Sequence, residues 1–274
     1  MDFLKRYYNA PGPGVDRDEP RSKGARLFFE IFFQNFGGLI KLNLIFCLFC
    51  LPSFIFFVLS LLGFEGNIPA LFLLMSLVTA LPIGGAMTAS FFCITKMLRE
   101  DPGFLWHDFK RKFKENFTLS IPFGIFYTTI FYTQIYILLI LYENIAGRIG
   151  FWALAIDLTA VVLASMVAPY IFTQASYLYL DTFKLLKNSL ILCFVNTPRS
   201  LIGAVQGGFV WALFAFFFPP SMILSPLIPL IAFSLSWLLT LMWTWKPVND
   251  YFNIEKTLRE RQALQFTQAP DQNN

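Results

Sequence analysis

Long apolar runs, each about as long as a bilayer-crossing helix, follow one another along this chain with short polar breaks between them. A helix that crosses the hydrocarbon needs about 20 largely apolar residues. Runs over 39–62, 68–97, 119–142, 151–180, 201–218 and 223–245 meet that need and predict six spans. Phe64-Glu65-Gly66-Asn67 separates the first two, the polar stretch 143–150 the third from the fourth, and Pro219-Pro220-Ser221 the last two; such clusters are turn signals. Pro82, with Gly84 and Gly85 after it, falls inside the second run and predicts a kink there, because proline removes a backbone donor and crowds the preceding turn.

Between these runs the pattern changes from continuous to amphipathic. Over 23–36, Lys23, Arg26, Glu30 and Gln34 recur at helical spacing in an otherwise apolar stretch. Over 105–117, Leu105, Trp106, Phe109, Phe113 and Phe117 share one helical face, and Asp108, Arg111, Lys114 and Glu115 the other. Over 181–195, Asp181, Lys184, Lys187 and Asn188 form a weaker polar face. Helices of this kind lie in a membrane interface. The order hairpin, surface helix, hairpin, surface helix, hairpin suggests a duplicated unit, with Asn116-Phe117-Thr118 and Asn196-Thr197-Pro198 as matching exits.

Composition agrees with a membrane chain. Of 274 residues, 56% are hydrophobic and only 14% charged, where a soluble domain carries about 25% charged residues. Polar tails are expected over 1–24 and 247–274, around one membrane domain over 25–246. The first 38 residues show no signal-peptide pattern, so the first run is expected to remain as a span. Every Lys and Arg except Arg148 falls in the N-terminal stretch, the loop after span two, the loop after span four or the C-terminal stretch. By the positive-inside rule this predicts both termini inside. The fold class expected is therefore an all-α membrane protein with six transmembrane helices, N-in and C-in, carrying amphipathic cytoplasmic interfacial helices. Trp152 and Tyr142 would mark the outer interface, and Tyr177, Tyr179, Trp243 and Trp245 the inner one.

Candidate chemistry is sparse. Cys47 and Cys50 form a C-x-x-C spacing, but within an apolar run that disfavours the thiolate needed for redox or zinc chemistry. His107 is the only histidine, which excludes a Ser/His pair elsewhere or a multi-His metal site. No nucleotide-binding, hydrolase or zinc-protease motif occurs. No catalytic residue, metal site or cofactor is expected, and nucleic-acid binding is excluded by the tethering of the basic residues to the bilayer surface.

Three sets of residues remain. Asp157 is the one charge inside a predicted span, and an intramembrane charge is a functional candidate by default; with Gln134, Gln174 and Gln206 it defines a candidate intramembrane polar site. Interfacial solvation, a solute contact and structural hydrogen bonding all fit Asp157. Lys110, Arg111, Lys112 and Lys114 form a candidate surface for lipid headgroups or a partner. Ala80, Pro82, Gly84, Gly85 and Thr88 read as a kink and a close helix contact.

Several stretches resemble the YesL family of bacterial membrane proteins: Tyr8-Asn9-Ala10-Pro11-Gly12-Pro13-Gly14-Val15 with Asp18-Glu19-Pro20, Leu39-Ile40-Lys41-Leu42-Asn43-Leu44, Cys50-Leu51-Pro52, Leu81-Pro82-Ile83-Gly84-Gly85-Ala86-Met87-Thr88-Ala89, and Asp108-Phe109-Lys110 through Asn116-Phe117. Leu51-Pro52-Ser53-Phe54 stands where family members often have Leu-Pro-Ile-Val-Thr. The resemblance implies a multi-pass protein of a bacterial plasma membrane associated with carbohydrate uptake, and it assigns no role to any residue. The expected function is that of a non-enzymatic accessory or assembly protein whose partners are membrane lipids and a transporter subunit or other membrane protein on the cytoplasmic side. The alternative is a small-solute transporter or channel, with its site at Gln134, Asp157, Gln174 and Gln206.

Overall fold

The computed structural model describes residues 24–62, 66–101, 103–144, 148–216 and 228–268. All described secondary structure is helical. The helices are α1 (Ala25–Gln34), α2 (Phe36–Ser60), α3 (Ile68–Thr79), α4 (Leu81–Leu98), α5 (Leu105–Asn144), α6 (Arg148–Tyr177), α7 (Thr182–Val195), α8 (Thr197–Phe216), α9 (Phe233–Phe252), entered through a wide π-helical turn at Ile228–Ala232, and α10 (Ile254–Gln268). Among the described residues, three helical stretches are long and apolar enough to cross a membrane: Phe36–Ser60, Ile68–Leu98 and Ala155–Tyr177.

The local breaks follow the backbone chemistry with some departures from expectation. The run over 68–97 divides into α3 and α4 at Ala80, just ahead of Pro82 rather than at it; the ring sits in the first turn of α4, where a missing N–H costs no helical bond. The amphipathic stretch 105–117 is not a separate surface helix. It runs without interruption into 119–142 as the first third of α5, about 60 Å long at 1.5 Å per residue. Nothing between Leu105 and Ile121 is Gly or Pro, so nothing stops the helix. At the other end, α9 continues through Pro247 to Asn253, whose left-handed φ of 50° ends it, and α10 occupies much of the stretch expected as a polar tail. The expected N-terminal tail up to residue 23, the Pro219-Pro220-Ser221 turn and the start of the sixth run at 223 lie outside the described residues.

α4, α6 and α9 pack on one another at the centre, and the other long helices fill the grooves between them. α5 lies against α4 and α6, α8 against α6 and α9, and α2 against α4 and the α9 entrance. Each outer helix therefore touches its own hairpin mate and one inner helix of a neighbouring hairpin. A unit of an amphipathic helical stretch, an asparagine, an outer helix and an inner helix recurs three times around this ring. Asn35, Asn116 and Asn196 are evenly spaced along the chain, and each donates from Nδ2 to the carbonyl four residues back, on Ile31 (3.1 Å), Lys112 (3.0 Å) and Leu192 (3.1 Å). At Asn35 and Asn196 the backbone N–H donates to the same carbonyl and the helix breaks, at a φ of −110° in both. Gly37-Gly38 and Pro198 follow these two breaks, whereas Phe117-Thr118-Leu119 continues the helix after Asn116, in line with the low helix propensity of Gly and Pro.

Two seams between helices differ in construction. Where α4 meets α5, Gly84 faces Ser120 and Gly124, and a Cβ at Gly84 would overlap the Ser120 carbonyl. A Cβ at Gly124 would overlap the backbone of Gly84, so main chain rests on main chain. One turn on, Thr88 Oγ1 and Ser120 Oγ share a hydrogen bond of 2.7 Å. Gly85 packs on Phe113 and Phe117. Where α8 meets α9, glycines stand on one side only: Ser236 Oγ donates to the Gly207 carbonyl (3.0 Å) and Thr240 Oγ1 to that of Gly203 (3.2 Å).

Candidate functional site

A passage through the bundle would have to pass its centre, and the centre is filled by rings. Phe91 of α4 meets Phe172 of α6 at 5.5 Å and Trp237 of α9 at 5.3 Å between centroids. Tyr127 of α5 stacks obliquely on Phe172 (5.5 Å), Phe46 of α2 lies edge-on to Phe233 (4.9 Å) and Trp237 (4.7 Å), and Trp211 of α8 lies edge-on to Phe233 (4.8 Å). The aromatic layer thus takes a ring from each of six helices. Such pairs contribute about 0.5–1.5 kcal/mol each beyond their burial.

The candidate intramembrane residues do not converge around it. Gln134 and Asp157 lie beside each other across the α5–α6 pair, with Gln134 Oε1 and Asp157 Oδ2 buried without a hydrogen-bond partner among the described residues. Gln174 Nε2 donates to Ser189 Oγ of α7 (3.0 Å), and lies about 25 Å along α6 from Asp157 at the helical rise. Gln206 Oε1 accepts from Trp243 Nε1 (2.7 Å) on an exposed face between α8 and α9. These are three separate pairs, each joining neighbouring helices.

The ion pairs gather instead at one end of the bundle, where α4 turns into α5 and α6 into α7. Asp108 is buried, although the sequence pattern puts it on the polar face, and it accepts from Lys96 Nζ (2.6 Å) and Arg111 (3.1 Å). A buried carboxylate needs such partners to offset its lost hydration. α4 ends with Glu100 at a left-handed φ of 58°, and the Asp101 N–H returns to the Lys96 carbonyl (3.0 Å), the closure known as a Schellman motif. This turn sets Asp101 against Arg99, an ion pair held over the rings of Tyr177 (5.3 Å) and Trp245 (5.6 Å). Trp245 Nε1 donates to Glu255 of α10 (3.0 Å). Tyr177 and Trp245 are thus packed inside the charged end rather than spread along an interface.

Two clefts flank this cluster. One, of about 380 Å³, lies between the α1–α2 junction and the α4–α5 turn, and Glu100, Asp101 and Asp108 outnumber Lys96 in its wall. The other, of about 420 Å³, lies between α5, the end of α6 and α10, and is lined by Arg111, Lys112, Arg261 and Glu115 among others. Sequence pattern alone missed both, because they assemble from turns distant in the chain. Of the four proposed surface residues, Lys110, Arg111 and Lys114 are exposed and Lys112 is half-buried; Arg111 and Lys112 lie over the Phe92 ring at 6.0 and 5.1 Å. His107 is exposed.

All four cysteines are free thiols. Burial pushes the Cys193 thiol up, away from the thiolate form. Among the described residues no His, Cys, Asp and Glu cluster is able to hold a metal ion. No family model, no curated protein and no solved structure matches the chain.

Proposed function

We propose that this chain is a non-enzymatic accessory protein of a bacterial plasma membrane, crossing it six times with both termini inside, and that it holds a membrane partner at its charged end. The observation that carries the reading is the filled aromatic layer: six helices contribute rings to the place where a solute path would run. The separation of Gln134 and Asp157, Gln174, and Gln206 onto different helix pairs, rather than around one cavity, supports this reading over a transporter. The asymmetry of Lys and Arg along the sequence supports the orientation. Lys110 and Lys114, exposed beside Phe104 and Trp106, supply a surface with both charge and apolar area. The resemblance to the YesL family makes a component of carbohydrate import the partner to look for.

Purification of the full chain from its native membrane in mild detergent tests this. A membrane partner is expected to co-purify with the wild type and to be lost on Lys110→Glu with Lys114→Glu. Recovery of the chain alone, together with sugar flux in proteoliposomes, overturns the reading. Cysteine labelling tests the topology: Gly66→Cys is expected to react in intact cells and Lys114→Cys only after permeabilisation.

A further inference from the structure

The 420 Å³ cleft between α5, the end of α6 and α10 carries an excess of positive charge in its wall. Arg111 and Lys112 come from α5 and Arg261 from α10, and Glu115 is the one carboxylate in the lining. Two of the three cations are shared, Arg111 with Asp108 (3.1 Å) and Lys112 with Glu115 (2.8 Å); Arg261 makes no ion pair among the described residues. Phe92 forms the floor and holds Lys112 Nζ 5.1 Å above its ring. Tyr177 and Tyr179, from the end of α6 and just beyond it, also line the cleft. Asn116 also lines the cleft, with its Nδ2 donated to the Lys112 carbonyl (3.0 Å). The neighbouring cleft across the α4–α5 turn has the opposite excess of charge, so the sign is a local property and not that of the whole end.

We propose that this cleft binds a phosphate ester. Two guanidinium forks and an ammonium suit a tetrahedral oxyanion, because guanidinium donates two parallel N–H bonds to neighbouring oxygens, and the cleft volume falls in the range of small-molecule sites. The same chemistry is offered by the phosphodiester of a lipid headgroup and by a free phosphate monoester in solution. The proposal does not depend on the accessory reading: a transporter or a scaffold would carry the cleft equally.

The test uses the purified, delipidated full chain in neutral detergent. In one arm it is titrated with mixed micelles of phosphatidylglycerol, with phosphatidylcholine as the zwitterionic comparison, and bound lipid is counted by native mass spectrometry. In the other arm glycerol 3-phosphate and inorganic phosphate are added and the shift in thermal unfolding is read. Arg261→Gln removes an exposed side chain and leaves the packing intact; Arg111→Lys keeps the charge beside Asp108 but loses the fork. Each is expected to weaken binding about tenfold or more, the scale of one charge-assisted hydrogen bond, while Lys184→Gln, on α7 and outside the cleft, leaves it unchanged. Retention of phosphatidylglycerol over phosphatidylcholine identifies a headgroup site, and a shift with glycerol 3-phosphate alone identifies a soluble ligand. No binding in either arm, or binding that Lys184→Gln weakens as much as Arg261→Gln does, overturns the proposal.

Discussion

The α4–α5 seam and the α8–α9 seam use the same residue types and tolerate change differently. Both bring a glycine-bearing helix close to another through small residues, the common solution where lipid removes the hydrophobic drive between helices. At α4–α5 the glycines oppose each other and the atoms next to them are main chain. At α8–α9 Gly207 faces the hydroxyls of Ser236 and Thr240 on α9, while a Cβ at Gly203 would meet the Thr240 carbonyl at a looser 3.2 Å. A side-chain hydroxyl can rotate or be removed; a carbonyl in a helix cannot. Both seams join helices that are consecutive in the chain, α4 and α5 through the short turn over residues 99–104.

The comparison breaks most visibly at Gly84. Gly84→Leu is expected to abolish a folded, monodisperse species on size exclusion, since its Cβ overlaps the Ser120 carbonyl; Gly124→Leu should behave alike. Gly207→Ala puts a Cβ 2.6 Å from Thr240 Oγ1 and 3.0 Å from Ser236 Oγ, an overpacking expected to cost about 1–3 kcal/mol in detergent unfolding. Thr240→Ala added to it should recover much of that loss, whereas Ser120→Ala should recover none of the loss at Gly84. Thr88→Val and Thr240→Val each remove one interhelical hydroxyl and should cost about 0.6 kcal/mol. Gly208→Ala, one residue from the seam with nothing within 4 Å of its Cβ, should change stability by less than about 0.5 kcal/mol. An equal response of Gly84 and Gly207 to alanine would remove the distinction.

The stripe of Gly84, Gly85 and Thr88 was legible in the sequence as a place of close helix contact, since small residues at helical spacing have few other uses in an apolar run. Its partner on α5 was not, because Ser120 and Gly124 look like ordinary interruptions until the two helices are set side by side. The amphipathic character of 105–117 was legible too, but its continuity with the following span was not: a hydrophobic pattern gives the face of a helix and not whether the helix stops. Asp108 shows the same limit. Helical spacing groups it with Arg111 and Glu115, yet the partner that buries it, Lys96, belongs to another helix. The threefold recurrence was half seen. Asn116 and Asn196 were matched as exits, and Asn35 was hidden because its neighbours Phe36, Gly37 and Gly38 share little with theirs. The scatter of Gln134, Asp157, Gln174 and Gln206 follows from which faces turn toward which neighbours, and composition carries no record of that.

One bond across the ring has a consequence for how the molecule is made. Where the wide turn before α9 passes into regular helix, the Ser234 N–H points to α2, and Asn43 Oδ1 accepts it at 2.9 Å, both groups being fully buried. The first and last hairpins meet here, so this contact joins residues 191 positions apart. A ribosome delivers α2 long before α9. During that interval the first two hairpins can dock through Gly84 and Gly124, but the ring stays open along one side. Asn43 therefore makes a late link: its Oδ1 meets the Ser234 N–H only after translation has reached α9, and the bond closes the ring.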